Sequence, residues 1–273
     1  MSEQTFQENV VILTGASRGI GRALALLLAE QGAWLSLAAR DQASLESVAQ
    51  SCRERGQASG AKALALPIDV SDQVQCQSLI ERTVEAYGRV DTLVNNAGIT
   101  MWSRFDELQS LQPLERIMQV NYLGSVYCTY AALPYLKQRK GRIVAVASLA
   151  GKTGVPLRSG YAASKHAMLG FFDSLRIELA PYGVSVTMIL PDFVATETRQ
   201  RAFGPDGKPL GKSPVQESQV MTAEQSAGMI LEAMATRRRE QIQSLRGKLG
   251  QWIKLIAPGM VDRIARNAIQ RGR

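Results

Sequence analysis

The sequence predicts a doubly wound α/β fold, a parallel sheet with helices on both faces in a three-layer αβα, Rossmann-type domain that carries a helical C-terminal extension. Three observations carry this. Short runs rich in Val, Ile and Leu alternate with longer segments of helical period, the pattern of βαβ units. The short runs are apolar on both faces, as strands covered on both sides are. A glycine-rich turn, TGASRGIG, follows the first run and opens a helix.

In chain order the predicted strands are Val10–Thr14, Trp34–Ala39, Ala63–Ile68, Thr92–Asn95, Arg142–Ala147 and Val184–Ile189, with helices such as Ile20–Ala29 and Val74–Tyr87 between them. The uncharged stretch Ile117–Leu136 is long enough to span a bilayer, but Gln119, Asn121, Ser125 and its tyrosines favour a buried interface helix. From Asp192 to Met221 the chain is polar, rich in Gly and Pro and without period, the composition of a loop that closes over a site. A chain of 273 residues is close to the limit of one hydrophobic core, so residues 1–236 are expected to form one domain and residues 237–273 an appendage.

Composition narrows the class further. The three cysteines, Cys52, Cys76 and Cys128, are odd in number and widely spaced, which suits neither a disulfide framework nor a zinc site. Together with an N-terminus lacking a basic-then-apolar leader, they set the expectation of a cytoplasmic protein. The net charge of +8 is concentrated: from Arg237 onward ten Lys and Arg face only Glu240 and Asp262.

The glycine turn places Gly15, Gly19 and Gly21 between strand and helix, with Ser17, Arg18 and Ile20 among them. Glycines there let backbone N–H groups approach a pyrophosphate at the positive end of the helix dipole. Cofactor choice is decided where the second strand ends, since an acid there binds a ribose hydroxyl and an arginine binds the 2′-phosphate of NADP. That strand ends Ala38-Ala39-Arg40, and Arg18 closes on the same phosphate from the turn. Each charge-assisted contact contributes about 1.5 to 3 kcal/mol, so NADP(H) is expected. The alternative has the strand ending one residue later, with Asp41 on the ribose and Arg40 solvated.

The sharpest signal is YAASK, Tyr161 to Lys165. Residues four apart share a helix face, and a Lys charge about 4 Å from a phenol favours the phenolate by about 4 kcal/mol at an effective dielectric near 20. That is enough to move a tyrosine from a pKa of about 10 toward neutrality. Ser148, at the end of the fifth strand, is placed to bond the substrate oxygen that Tyr161 protonates. Asn121 is an amide in an otherwise apolar helix, serving either to steady a kink or to hold a water that relays protons to Lys165.

In this order TGASRGIG, Asp69-Val70, the NNAG of residues 95–98, Asn121, Ser148 and YAASK resemble the short-chain dehydrogenase/reductase family in its single-domain form, over residues 8 to about 198. The resemblance implies a catalytic tetrad of Asn121, Ser148, Tyr161 and Lys165, with Lys165 also on the nicotinamide ribose. It further implies that Asp69 and Val70 flank the adenine, that Asn96, Ala97 and Gly98 support the cofactor, and that Pro191, Val194 and Thr196 embrace the carboxamide. The implied activity is hydride transfer between NADP(H) and a carbonyl or secondary alcohol. The implied assembly is a homodimer or tetramer through the helices of Asn121 and Tyr161. One departure stands out: Pro191 is followed by Asp192, where the family usually has glycine. The lone His166 makes no metal site.

Substrate walls are expected from Ile99–Phe105, Leu149–Leu157 and the loop after Asp192. Met101, Trp102, Phe105, Val155, Leu157 and Phe193 make them apolar and favour a lipophilic ketone or alcohol. In the tail, Leu249, Trp252, Ile253 and Ile256 form one helical stripe, and Val261, Ile264, Ala265 and Ala268 form a second beyond Pro258-Gly259. With Lys248, Lys254, Arg263 and Arg266 these suit an anionic membrane surface, or docking on the protein's own body or a partner subunit. No groove-reading motif accompanies the charge, so nucleic acid is not an expected partner. The alternative to an enzyme is a catalytically idle NADP-binding scaffold recruited through this tail.

Overall fold

The computed structural model describes residues 5–213 and 220–270, with side chains to residue 267. Seven strands form one parallel sheet: β1 (Val10–Thr14), β2 (Trp34–Ala39), β3 (Lys62–Pro67), β4 (Thr92–Asn95), β5 (Arg142–Val146), β6 (Ser185–Leu190) and β7 (Glu240–Ile242). Their order is β3-β2-β1-β4-β5-β6-β7, and the register pairs Val10 with Trp34, Val11 with Thr92 and Met188 with Glu240. The direction of winding reverses between β1 and β4, which opens a crevice at the carboxyl ends of the strands.

Helices cover both faces. On one, α1 (Gly19–Glu30), α2 (Gln42–Arg55) and α7 (Ala223–Ala235) pack Leu24, Leu28, Leu45 and Ile230 against Leu13, Leu35 and Val144. On the other, α3 (Gln73–Tyr87), α5 (Gly124–Arg139) and α6 (Ser159–Leu179) pack Leu79, Ile80, Leu136, Met168 and Phe172 against Ile12, Leu93 and Ile143. Asp72 caps α3, its carboxylate accepting from Val74 N and Gln75 N, and Thr222 forms a reciprocal cap with Gln225 on α7.

Three features depart from the sequence reading. The helix expected over 117–136 is interrupted: α4 (Gln112–Met118) passes through a π-helical turn, Gln119–Leu123, into α5. Residues 240–242 join the sheet as β7, so the basic C-terminal segment supplies the last strand before its helices α8 (Leu245–Ile256) and α9 (Pro258–Gln270) begin. The loop after Asp192 is stitched down in its described part. Trp102 N donates to Phe203 O at 2.8 Å, Phe203 N to Thr100 O at 3.0 Å, and Ala195 N to Met221 O at 2.8 Å. Residues 214–219 of that loop, and the side chain of Ala268, lie outside the described residues.

Candidate active site

A cleft of about 570 Å³ opens at the reversal point, within the range of small-molecule sites. The glycine turn forms one wall, from Gly15, Ser17 and Arg18 to Gly19, Ile20 and Gly21. Gly15 has φ +67, and a Cβ on it would stand 2.8 Å from Ala97 Cα; one on Gly21 would stand 2.2 Å from Gly15 O. Neither position admits a side chain. Arg18 N-caps α1 without a side-chain bond and no acid occupies the first turn, so the first N–H groups of α1 remain available to an anion. A pyrophosphate fits that cradle.

Thr14 braces it from behind. Its hydroxyl accepts from Asn96 N at 3.0 Å and Ala97 N at 3.1 Å, while Asn96 Nδ2 donates to Gly15 O at 3.1 Å. Thr14 was not among the predicted site residues. A polar residue ending a buried strand beside the turn was its signal.

The far end of the cleft is charged. β2 stops at Ala39, leaving Arg40 exposed on the cleft wall. Asp41 N-caps α2: its carboxylate accepts from Ser44 N at 3.1 Å, Ser44 Oγ at 2.6 Å and Arg18 Nη2 at 3.2 Å. Arg18 also reaches Glu197 at 3.0 Å. Asp69 and Val70 line the adjoining wall, where the Asp69 carboxylate accepts from Arg116 Nη2 at 2.6 Å and from Ser71.

At the near end Ser148, Tyr161 and Lys165 meet. Ser148 follows β5 in extended backbone (φ −176), and its Oγ donates to Pro191 O at 3.5 Å. Lys165 is buried, its Nζ donating to Val146 O at 2.9 Å and lying 5.8 Å from the Tyr161 ring centroid. Asn121 is fully buried behind the cleft rather than on its wall, within the π-helical turn. Its Oδ1 accepts from Ile99 N at 2.8 Å, and its Nδ2 donates to Ile99 O at 3.0 Å and Ser164 Oγ at 2.9 Å. Asn121 Oδ1 and Lys165 Nζ converge on Gly98, where an added Cβ would meet them at 3.3 and 3.7 Å. The bonds of the amide secure an irregular turn, the first of its two expected roles.

Burial opposes ionisation of the Tyr161 phenol, but the Lys165 and Arg158 charges and the Ser148 hydroxyl outweigh it and hold its pKa below the ordinary tyrosine value. Burial likewise lowers Lys165, against the pull of Tyr161. Arg158 was not predicted, although it lies three residues before Tyr161 on the same helix face. Its Cζ is 4.1 Å from the Tyr161 ring centroid, closer than the lysine.

The expected apolar substrate wall is only partly present. Of Met101, Trp102, Phe105, Val155, Leu157 and Phe193, Phe193 alone faces the cleft among the described residues. Met101 is buried under Gly160, and Phe105 is 63% exposed on the outer surface. Thr100, Arg158 and Arg199 stand where apolar side chains were expected. Pro191, Val194 and Thr196 line the cleft. Asp192 turns away from solvent: its carboxylate accepts from Arg246 Nε at 2.5 Å, Arg246 Nη2 at 2.8 Å and Ser244 Oγ at 2.7 Å. His166 Nδ1 lies 2.9 Å from Ala162 O within α6 and does not face the cleft. Among the described residues no acid, His and Cys cluster could hold a metal.

Comparison with known proteins agrees with this geometry. The family model of the short chain dehydrogenases matches residues 9–205. An "11-beta-hydroxysteroid dehydrogenase-like 3" of Arabidopsis thaliana is 42% identical over 188 residues, 69% of this chain; the match spans 60% of that relative's length. A "Dehydrogenase/reductase SDR family protein 7-like" of Dictyostelium discoideum is 34% identical over 262 residues, covering 95% of this chain and 81% of the relative. A solved short chain dehydrogenase/reductase from Burkholderia phymatum, in complex with NAD, superposes with a TM-score of 0.82 at 26% identity, over 94% of this chain and 96% of that one. The chain therefore belongs to the short-chain dehydrogenase/reductase family, oxidoreductases that use a nicotinamide cofactor to move hydride to or from an alcohol or carbonyl carbon.

Proposed function

We infer that the chain interconverts a carbonyl compound and a secondary alcohol with NADP(H), and that Tyr161 donates and accepts the proton. The observation that carries this is the meeting of a phenol, two cations and the Ser148 hydroxyl on a cleft whose other wall is a glycine turn with unused N–H groups. In the reducing direction the Tyr161 O–H bond breaks, its proton goes to the carbonyl oxygen, and the carbonyl carbon takes a hydride. A bound nicotinamide supplies that hydride. Ser148 donates to the same oxygen and orients it, while Lys165 steadies the phenolate and binds the nicotinamide ribose. Asn121 orders the proton path that restores Tyr161 from the side of Lys165.

Gly15, Ser17, Arg18, Gly19, Ile20 and Gly21 hold the pyrophosphate and its ribose. Arg40 and Arg18 take the 2′-phosphate, a reading supported by Asp41 being committed to capping α2. Asp69 and Val70 bound the adenine. Asn96, Ala97 and Gly98 support the cofactor from below, and Pro191, Val194 and Thr196 contact the carboxamide. Phe193 and Ile99 on the cleft wall, and the steroid named in the Arabidopsis relative, support a substrate with an apolar body.

Two further surfaces fit this reading. Tyr130 on α5 and Ile177 on α6 are 75% and 63% exposed, which supports a dimer or tetramer through the outer faces of those helices. The apolar face of α8 and α9 supports contact with an anionic membrane. Among the described residues no helix is long and apolar enough to cross one.

The test is a panel of hydrophobic ketones and alcohols read by the absorbance of NADPH against NADH. Tyr161→Phe is expected to lower kcat at least about a hundredfold. Turnover equal to the parent's would overturn the mechanism.

A further inference from the structure

Arg158 is not used by the chemistry above except as a charge, and its setting is unusual for a cation. It occupies the N-cap of α6, where an oxygen-bearing side chain is preferred and where the helix dipole disfavours positive charge, and it makes no capping bond. The residue before it, Leu157, holds φ +65, a left-handed conformation that side chains with a Cβ rarely adopt. That turn is secured by backbone bonds, Ser103 N to Leu157 O at 2.9 Å and Arg158 N to Val155 O at 3.2 Å. The backbone is thus held in an uncommon conformation at the residue that delivers the guanidinium to the cleft.

Once there, the guanidinium lies over the Tyr161 ring, 5.8 Å from the ring of Phe193, and donates from Nη2 to Thr100 Oγ1 at 3.0 Å. Its Nε is buried with no hydrogen-bond partner. No carboxylate pairs with Arg158 among the described residues. The acid it feels, Asp192, is already held by Arg246 and Ser244. Lys165, the neighbouring buried cation, is bonded to a carbonyl and not to an acid. A half-buried cation that keeps a buried donor unpaired is costly in the free protein and is matched when a ligand brings the acceptor. A guanidinium fork is shaped for a carboxylate.

We propose that Arg158 anchors a carboxylate on the substrate, a bond or two from the reacting carbonyl, so that the substrate is an oxo acid, or the matching hydroxy acid, with an apolar body. The distance follows from the stacking: a group held by a guanidinium over the phenol ring stands beside the oxygen that meets the Tyr161 hydroxyl. Thr100 fixes the fork from behind, and Phe193 lies against the apolar part. This rests on the reading of Tyr161 as proton donor, and it adds to that reading a substrate class.

The test compares 2-oxo-4-phenylbutanoate with 4-phenyl-2-butanone, which differ only by carboxylate in place of methyl. Binding is measured by calorimetry on the full chain saturated with NADP⁺, which delivers no hydride. The oxo acid is expected to bind about ten- to a hundredfold more tightly. Arg158→Met should erase the difference while leaving ketone affinity in place, and Arg158→Lys should restore part of it. Equal affinities in the parent, no binding of the oxo acid, or a preference that survives Arg158→Met would each overturn the proposal. Parent discrimination decides the matter even if a variant fails to fold. Tyr161→Phe keeps the ring beneath the guanidinium and should keep the preference while losing turnover with NADPH. A parent that shows the preference yet turns over neither compound nor its alcohol would sink the catalytic reading and leave the carboxylate site standing.

Discussion

At the residue scale the cleft is governed by which charges face which oxygens. Tyr161 has a pKa held below its ordinary value by Lys165 and Arg158 against the effect of burial, so its phenolate, the proposed proton acceptor in alcohol oxidation, is reached at lower pH than for a free tyrosine. The rate of oxidation should therefore rise with pH as Tyr161 ionises. Removing Arg158 takes away one stabilising charge, and in Arg158→Met that rise should move to higher pH for a substrate lacking a carboxylate; an unmoved limb would show that Lys165 alone sets it. At the other end of the cleft, Arg40→Asp should raise KM for NADPH about ten- to a hundredfold and leave KM for NADH little changed or improved. Unaltered use of NADPH would remove Arg40 from the cofactor assignment. That Tyr161 and Lys165 share one cleft with the glycine turn was legible because fixed spacings reported it: four residues from Tyr161 to Lys165, and glycines where strand gives way to helix. Arg158 was missed because an arginine ahead of a helix reads as solvated charge, and only the three-dimensional path of the Leu157 turn sends it inward. The substrate wall was misjudged for the converse reason, since Met101 and Phe105 are apolar whether they face a cleft, a core or solvent.

At the element scale the six longer strands were legible from their Val, Ile and Leu runs: β1, β2 and β4 match end to end, and the ends of β3, β5 and β6 shifted by at most one residue. β7 was not: it has three residues, Glu240-Gln241-Ile242, at the sheet edge, where polar side chains are ordinary and no apolar run is required. The π-helical turn was visible only as the misfit of Asn121 in an apolar helix. Asp192 is the element-scale surprise. An acid stands in place of the family's usual glycine, and it ties the end of β6 to α8 through Arg246 and Ser244. Arg246→Ala should release α8, seen as faster amide exchange over residues 245–256 and a stability loss of about 1 to 2 kcal/mol, modest because the Arg246 side chain is 64% exposed. The sign with pH follows from the carboxylate. Burial raises Asp192, but its bonds to Arg246 and Ser244 outweigh this and hold its folded pKa below the reference value of 3.8. The tether is therefore complete above that value and is lost as pH falls through the folded pKa. Parent and variant should differ fully at neutral pH and converge in acid; a difference that persisted in acid would mean that Arg246 acts by packing.

At the scale of the whole molecule the +8 charge was legible as a sum, yet its use was not. Several of the C-terminal cations are spent on the protein's own body. Arg237 bonds the carbonyls of Lys140, Gly141 and Gly183, Arg238 and Arg239 pair with Glu232 and Asp173, and Lys254 donates to Lys152 O. These contacts dock the base of the segment, whereas the apolar face of α8 and α9 is left outward, with Trp252 69% and Ile256 86% exposed. Leu249, Met260 and Ile264 are exposed beside them, and so are Lys248, Arg263 and Arg266. Docking on the protein's own body therefore does not account for the stripe. An apolar face flanked by basic residues gains from both acyl burial and anionic headgroups, with about 1 kcal/mol for each basic residue near the surface. The full chain should then co-sediment with vesicles containing phosphatidylserine and much less with purely phosphatidylcholine vesicles, and the binding should weaken as salt is raised. Trp252→Ser with Ile256→Ser should abolish sedimentation without altering carbonyl reduction in solution, because neither residue lines the cleft. Equal sedimentation by parent and variant would end the membrane reading. Loss of a dimer in the variant, by sedimentation velocity without lipid, would instead assign the face to a second copy of the chain.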